Sequence, residues 1–156
     1  MMNLSKYRNR RGFTLVELVM AVAIIIIILA IAIPNAKQMR VSANASKAKG
    51  DLEMLKTAVE SYMIHQDPAG YPGTTNQLWE DYLKNTAPRI LEKALYDPFQ
   101  NGNIEYQYVR SNNGAYYVIW SRGIGGVSSV QGIGDDGVIT PANRGDDIYV
   151  SNGSTQ

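Results

Sequence analysis

The sequence predicts an α+β fold: one long N-terminal helix, apolar in its first half and amphipathic in its second, packed on a small antiparallel sheet of three to four strands. Three observations predict it. Residues Phe13 to Ile33 form a run of 21 residues broken by a single charge, Glu17. From residue 35 to about 66, apolar residues recur at spacings of three and four, so the helix continues with one greasy face. Beyond residue 67 the pattern shifts to breakers and short alternating runs rich in tyrosine and valine. The corresponding divisions are 1–12, 13–34, 35–66 and a head at 67–156.

The first twelve residues carry Lys6, Arg8, Arg10 and Arg11 and no acid. The apolar run that follows spans roughly 30 Å as a helix, enough for the hydrocarbon core of a bilayer. Basic residues before a span stay cytoplasmic, which sends everything after Ile33 outside. A secretory signal would place its cleavage site after a shorter apolar core. Here the small residue, Gly12, precedes the run, so a cut there would discard the charges and keep the anchor. Glu17 is costly, at about 2.5–3.5 kcal/mol for an acid at mid-span, though its place near the cytoplasmic edge and at a helix N-terminus lowers that cost. A free amine on Phe13 would lie one turn before Glu17 and could pair with Glu17 of a neighbouring copy.

Pro34 removes an amide donor and predicts a kink or local melting, a helix break where the chain leaves the membrane. In the amphipathic half, Leu52, Leu55, Val59, Tyr62 and Met63 share a face. Lys47, Lys49, Asp51, Glu53, Lys56 and Glu60 decorate the rest and read as a solvated surface. The run from Asp67 to Gly73 stops the helix. Thr75 or Asn76 could cap a second helix over 77–84, and 88–95 reads as a further helical segment. Residues 104–109 alternate as a strand, with Ile104, Tyr106 and Tyr108 on one face. Asn112-Asn113-Gly114 is a hairpin signal. Residues 115–121 are apolar on both faces and predict a central strand. Val138-Ile139 and Ile148-Tyr149-Val150 are candidates for one more, and 151–156 reads as a frayed polar tail.

Arg11-Gly12-Phe13-Thr14-Leu15-Val16-Glu17-Leu18 closely resembles the processing signature of type IV pilins and type II secretion pseudopilins, the class III prepilins. The resemblance implies a pilin-like fold and cleavage by a prepilin peptidase between Gly12 and Phe13. It further implies N-methylation of Phe13 and a role for Glu17 in assembly. Tyr71-Pro72, Asp97-Pro98-Phe99, Asn101-Gly102, Tyr106-Gln107-Tyr108, and Ser121 with Gly123 resemble the major pseudopilin of type II secretion in order and spacing. In that family an acidic loop binds calcium. Here Gly134-Asp135-Asp136-Gly137 is followed after seven residues by Gly145-Asp146-Asp147-Ile148. The resemblance carries Asp136 and Asp147 over as metal ligands, with Asp135 and Asp146 as further candidates. Gly145 and the Gly-rich stretch 124–133 depart from the family pattern. Read from the residues alone, the stretch is equally an acidic surface loop with Asx turns.

Several functions are excluded or unsupported. With no cysteine there is no disulfide, thiolate nucleophile or zinc–thiolate site. Taking four bases from 15 leaves 11 against 14 acids, a net −3, which gives no reason to expect nucleic acid as a partner. The single histidine, His65, and the absence of hydrolase, metalloprotease or phosphate-loop motifs argue against an enzyme. The expected function is that of a structural subunit of a helical filament, the major pseudopilin of a type II secretion system. The alternatives are the major pilin of a type IV pilus, serving adhesion, motility or DNA uptake, and an anchored binding domain that never polymerises. Expected partners are copies of itself, the prepilin peptidase and an inner-membrane assembly platform. The chain would cross the inner membrane once, head outside the cytoplasm, before entering a periplasmic or extracellular filament.

Overall fold

A computed structural model of the chain describes residues 12–126, 128–140 and 147–154. The basic leader, apart from Gly12, lies outside these residues, as does Asp146. The chain divides into two compact units, Met1–Arg40 and Val41–Gln156.

A single helix, α1, covers Leu15–His65. Its assignment is uninterrupted through position 34, where a break is expected. A proline inside a helix deletes one amide donor without having to end the helix, and good formers lie close on both sides, Ala30 and Ala32 before it and Ala36 and Lys37 after it. In the first unit every described side chain of α1 is exposed, although an 18-residue window reaches a mean hydropathy of 3.2. A helix apolar on all sides buries nothing on its own chain and needs lipid or other helices around it.

In the second unit the remaining turns of α1 bury one stripe. Ala48, Leu52, Leu55, Ala58 and Val59 are all at most 4% exposed, at spacings that keep them on one face. Against that stripe lies a three-stranded antiparallel sheet. Its strands are β1 (Gln107–Arg110), β2 (Tyr117–Trp120) and β5 (Tyr149–Ser151), with β2 in the middle. All four residues of β2 are buried, as the expectation of a central strand requires. Tyr117 and Ile119 face the α1 side with Tyr106 and Tyr108. Val118 and Trp120 face the opposite side, where Val130, Ile133 and Ile139 cover them. That cover is a second, two-stranded sheet of β3 (Gly132–Ile133) and β4 (Ile139–Thr140), part of it built from the Gly-rich stretch that sequence leaves unstructured.

The hairpin at Asn112-Asn113-Gly114 joins β1 to β2 as expected. Gly114 takes φ +75°, and its amide donates to the Ser111 carbonyl at 3.0 Å. Other expectations are corrected. Residues 77–84 form only one π-helical turn, Trp79–Leu83, whose first amide donates to Glu105 Oε2 at 3.0 Å. Residues 88–95 form no helix; so short a segment cannot offset the cost of nucleation, and Leu91 anchors it in the core with Ala94 and Leu95 packed partly against it. Ile104 is 37% exposed while Tyr106 and Tyr108 are buried, because regular pairing begins only at Gln107. The tail is tied down through Gly153: the Tyr117 amide donates to Asn152 Oδ1 at 2.8 Å, and Asn152 Nδ2 donates to the Ala115 carbonyl at 3.0 Å.

Candidate functional site

Gly12, Phe13 and Thr14 precede the first turn of α1 and are exposed; Phe13 is 82% so. Among the described residues, nothing lies within 4 Å of where a Gly12 Cβ would stand. The Gly12–Phe13 bond, where the cut is expected, thus lies between two exposed residues.

Thr14 and Glu17 form a reciprocal cap. The Glu17 amide donates to Thr14 Oγ1 at 3.2 Å, and Glu17 Oε2 accepts both the Thr14 amide at 2.9 Å and the Thr14 hydroxyl at 3.0 Å. This is a capping box, which satisfies otherwise orphaned donors at a helix start. Four polar groups at the helix start are thus partnered within one turn. Thr14 went unread as a functional residue, although a threonine three residues before a glutamate is a recognisable signal.

The acidic loop is divided by the fold. Asp135 and Asp136 sit in the turn between β3 and β4, where Gly137 takes φ +79°. Asp135 grips the neighbouring hairpin: its Oδ1 accepts the Asn113 amide at 2.8 Å and its carbonyl accepts Asn113 Nδ2 at 2.9 Å. Asp136 Oδ1 accepts the Val138 amide at 3.0 Å, an Asx turn. Asp147 stands just before β5, and its Oδ2 gathers the Ser128 hydroxyl at 3.2 Å, the Ser129 amide at 2.9 Å, the Ser129 hydroxyl at 2.5 Å and the Val130 amide at 3.2 Å. Neutral donors surround this oxygen. Among the described residues no three acids or histidines gather to hold a metal. The contacts of Asp147 clasp the Gly-rich segment.

Two acids read as surface decoration are helix-to-sheet contacts. Glu60 accepts the Tyr117 hydroxyl on Oε1 at 2.8 Å and the Tyr71 hydroxyl on Oε2 at 3.0 Å. Asp51 accepts the Tyr106 hydroxyl at 2.9 Å and pairs with Lys47 at 3.1 Å. Burial first, then these carboxylates, push the Tyr106 and Tyr117 hydroxyls well above the usual phenol range. Asp97, 3% exposed, accepts the Phe99 amide at 3.0 Å, the Ser121 hydroxyl at 2.9 Å and the Arg122 amide at 2.8 Å. It pins the loop before β1 to the end of β2.

Comparison with known proteins gives consistent results. Residues 7–33 match the prokaryotic N-terminal methylation motif. The chain is 27% identical over 141 residues to type II secretion system core protein G of Vibrio cholerae, covering 85% of this chain and 93% of that one. It is 30% identical over 129 residues to the protein of the same name from Pseudomonas aeruginosa, covering 76% and 87%. The counterpart from Klebsiella michiganensis is 30% identical over 131 residues, covering 84% and 87%. No solved structure matches significantly.

Proposed function

The chain belongs to the family of type II secretion system core protein G, and we propose that it works as the major pseudopilin, the repeating subunit of a helical filament. The role is structural rather than catalytic. The observation that carries it is the match along most of the chain together with an N-terminal methylation motif over residues 7–33. The wholly exposed apolar half of α1 supports the reading, since that surface needs lipid before assembly and sister helices after it.

In this reading α1 anchors the subunit in the inner membrane with the head on the periplasmic side. A prepilin peptidase cuts between Gly12 and Phe13, and the new amine on Phe13 is methylated. The amine then pairs with Glu17 of an adjacent copy, so that two charges too costly to leave apart in lipid are brought together. Glu17 exchanges its partner within the chain, Thr14, for one between chains. The assembly platform that extracts the subunit is a further expected partner.

Intact-mass measurement on the mature chain tests the processing step. Loss of residues 1–12 and gain of one methyl group are expected; a mature chain of unprocessed mass would overturn the assignment. Electron microscopy of cells that overproduce the chain with its processing enzyme should show filaments.

A further inference from the structure

A helical filament of identical subunits needs heterologous contacts, in which one patch on each copy meets a different patch on the next. The head carries a matching pair. Between α1 and the strand β5 lies a groove of about 560 Å³, with Leu52, Phe99 and Val150 among its lining and Lys49, Glu53 and Ile124 beside them. Ile124 is 64% exposed there. Elsewhere, in the irregular segment before β1, Ile90 is 41% exposed while the adjoining Leu91 is buried in the core. Leu91 therefore fixes the base of a small apolar knob. Arg89 and Glu92, both exposed, flank it.

The charges complement one another. The groove carries Lys49 and Glu53 with Asp147 also in its lining, a net negative charge, and the knob carries Arg89 and Glu92 with Lys93 beside them, a net positive one. Among the described residues none of Lys49, Glu53, Arg89 and Glu92 enters an ion pair; the pairs present are Lys47–Asp51 and Lys84–Glu80. An apolar centre with unpaired charges of both signs at its edge is the anatomy of a protein contact, in which the rim fixes register and partner choice.

We propose that Ile90 of one subunit inserts into the Leu52–Phe99–Val150 groove of a second copy, with Arg89 meeting Glu53 and Glu92 meeting Lys49. The contact rests on the filament reading and extends it from the membrane helix to the heads.

The chain has no cysteine, so disulfide trapping is free of background. Filaments assembled from a mixture of Ile90→Cys and Ile124→Cys chains, then oxidised, should give a disulfide-linked dimer that neither variant gives alone. Charge exchange is the second arm. Lys49→Glu and Glu92→Lys should each lower filament yield, by roughly threefold for a rim pair, and the double variant should recover it. Filaments that form without the mixed dimer, or that link Ile90→Cys to a different protein, overturn the contact and leave the filament reading standing. Absence of filaments from the unaltered chain overturns both.

Discussion

The hydroxyl of Tyr117, at the start of the central strand, donates to Glu60 Oε1 on α1 at 2.8 Å, while Tyr117 itself is fully buried. The bond crosses from helix to sheet, and its acceptor shares its second oxygen with Tyr71. Tyr117→Phe keeps the ring and deletes the donor. It should cost about 1–2 kcal/mol, since one carboxylate oxygen loses its partner. Urea unfolding of the detergent-solubilised full chain measures this; an unchanged midpoint would mean that ring packing alone holds the joint.

The same tyrosines set an alkaline limit. Burial raises Tyr106, Tyr108 and Tyr117 in the folded chain, so each keeps its proton above the pH at which the unfolded chain releases it. Above about pH 10 the unfolded state therefore binds fewer protons, and stability falls as pH rises. Each such tyrosine contributes a slope of about 1.4 kcal/mol per pH unit there. Melting temperature against pH should decline steeply past that point, and less steeply in Tyr117→Phe. A flat profile up to strong alkali contradicts the burial of these hydroxyls.

Asp97→Asn replaces one acceptor oxygen by a donor among the Phe99, Ser121 and Arg122 donors. At least one buried donor then faces another, a loss of about 1–3 kcal/mol. Ser121→Ala removes the donor to Asp97 and the acceptor of the Gly123 amide, and should cost about 1–3 kcal/mol. Equal stability of Asp97→Asn and the parent would show that the carboxylate is dispensable.

Asp147→Ala removes an acceptor shared by four donors of the 128–130 segment, of which the Val130 amide keeps its bond to Ser128 Oγ. The expected destabilisation is about 1–3 kcal/mol, and it should be the same in chelator as in added calcium, because the partners are protein groups. Thermal melting under both conditions decides. A loss seen only with calcium present would assign this residue to a metal instead.

At the N-terminus, Glu17→Leu should insert in the membrane as well as the parent or better and yet form no filaments. Thr14→Val breaks the reciprocal cap but spares the carboxylate. It should weaken the first turn by about 1 kcal/mol and reduce filament yield without abolishing it. Sheared-filament fractions from cells report both variants. Parental filament yield from Glu17→Leu would remove the proposed pairing with the Phe13 amine.

Much of this protein was legible along the chain, because the relevant signals are local. The 21-residue apolar run, Gly12 before it and Glu17 within it lie on one short stretch. The buried stripe through Leu52, Leu55 and Val59 follows from helical period alone, and the turn at Asn113-Gly114 from backbone freedom. The capping box was equally local and simply went unread.

What the chain could not state in one dimension was partnership at long separation. A surface acid and a helix-to-sheet acid look alike until Tyr117 arrives 57 residues away to meet Glu60. The Gly-rich stretch became part of a second sheet only because Val118 and Trp120 needed a cover on the far side of β2. Asp147 anchors a segment 17 to 19 residues before it, a partnership that no local spacing announces. Period and spacing fix which face a residue shows; only closure of the core fixes what that face will touch, since a hydrogen bond is defined by both ends at once.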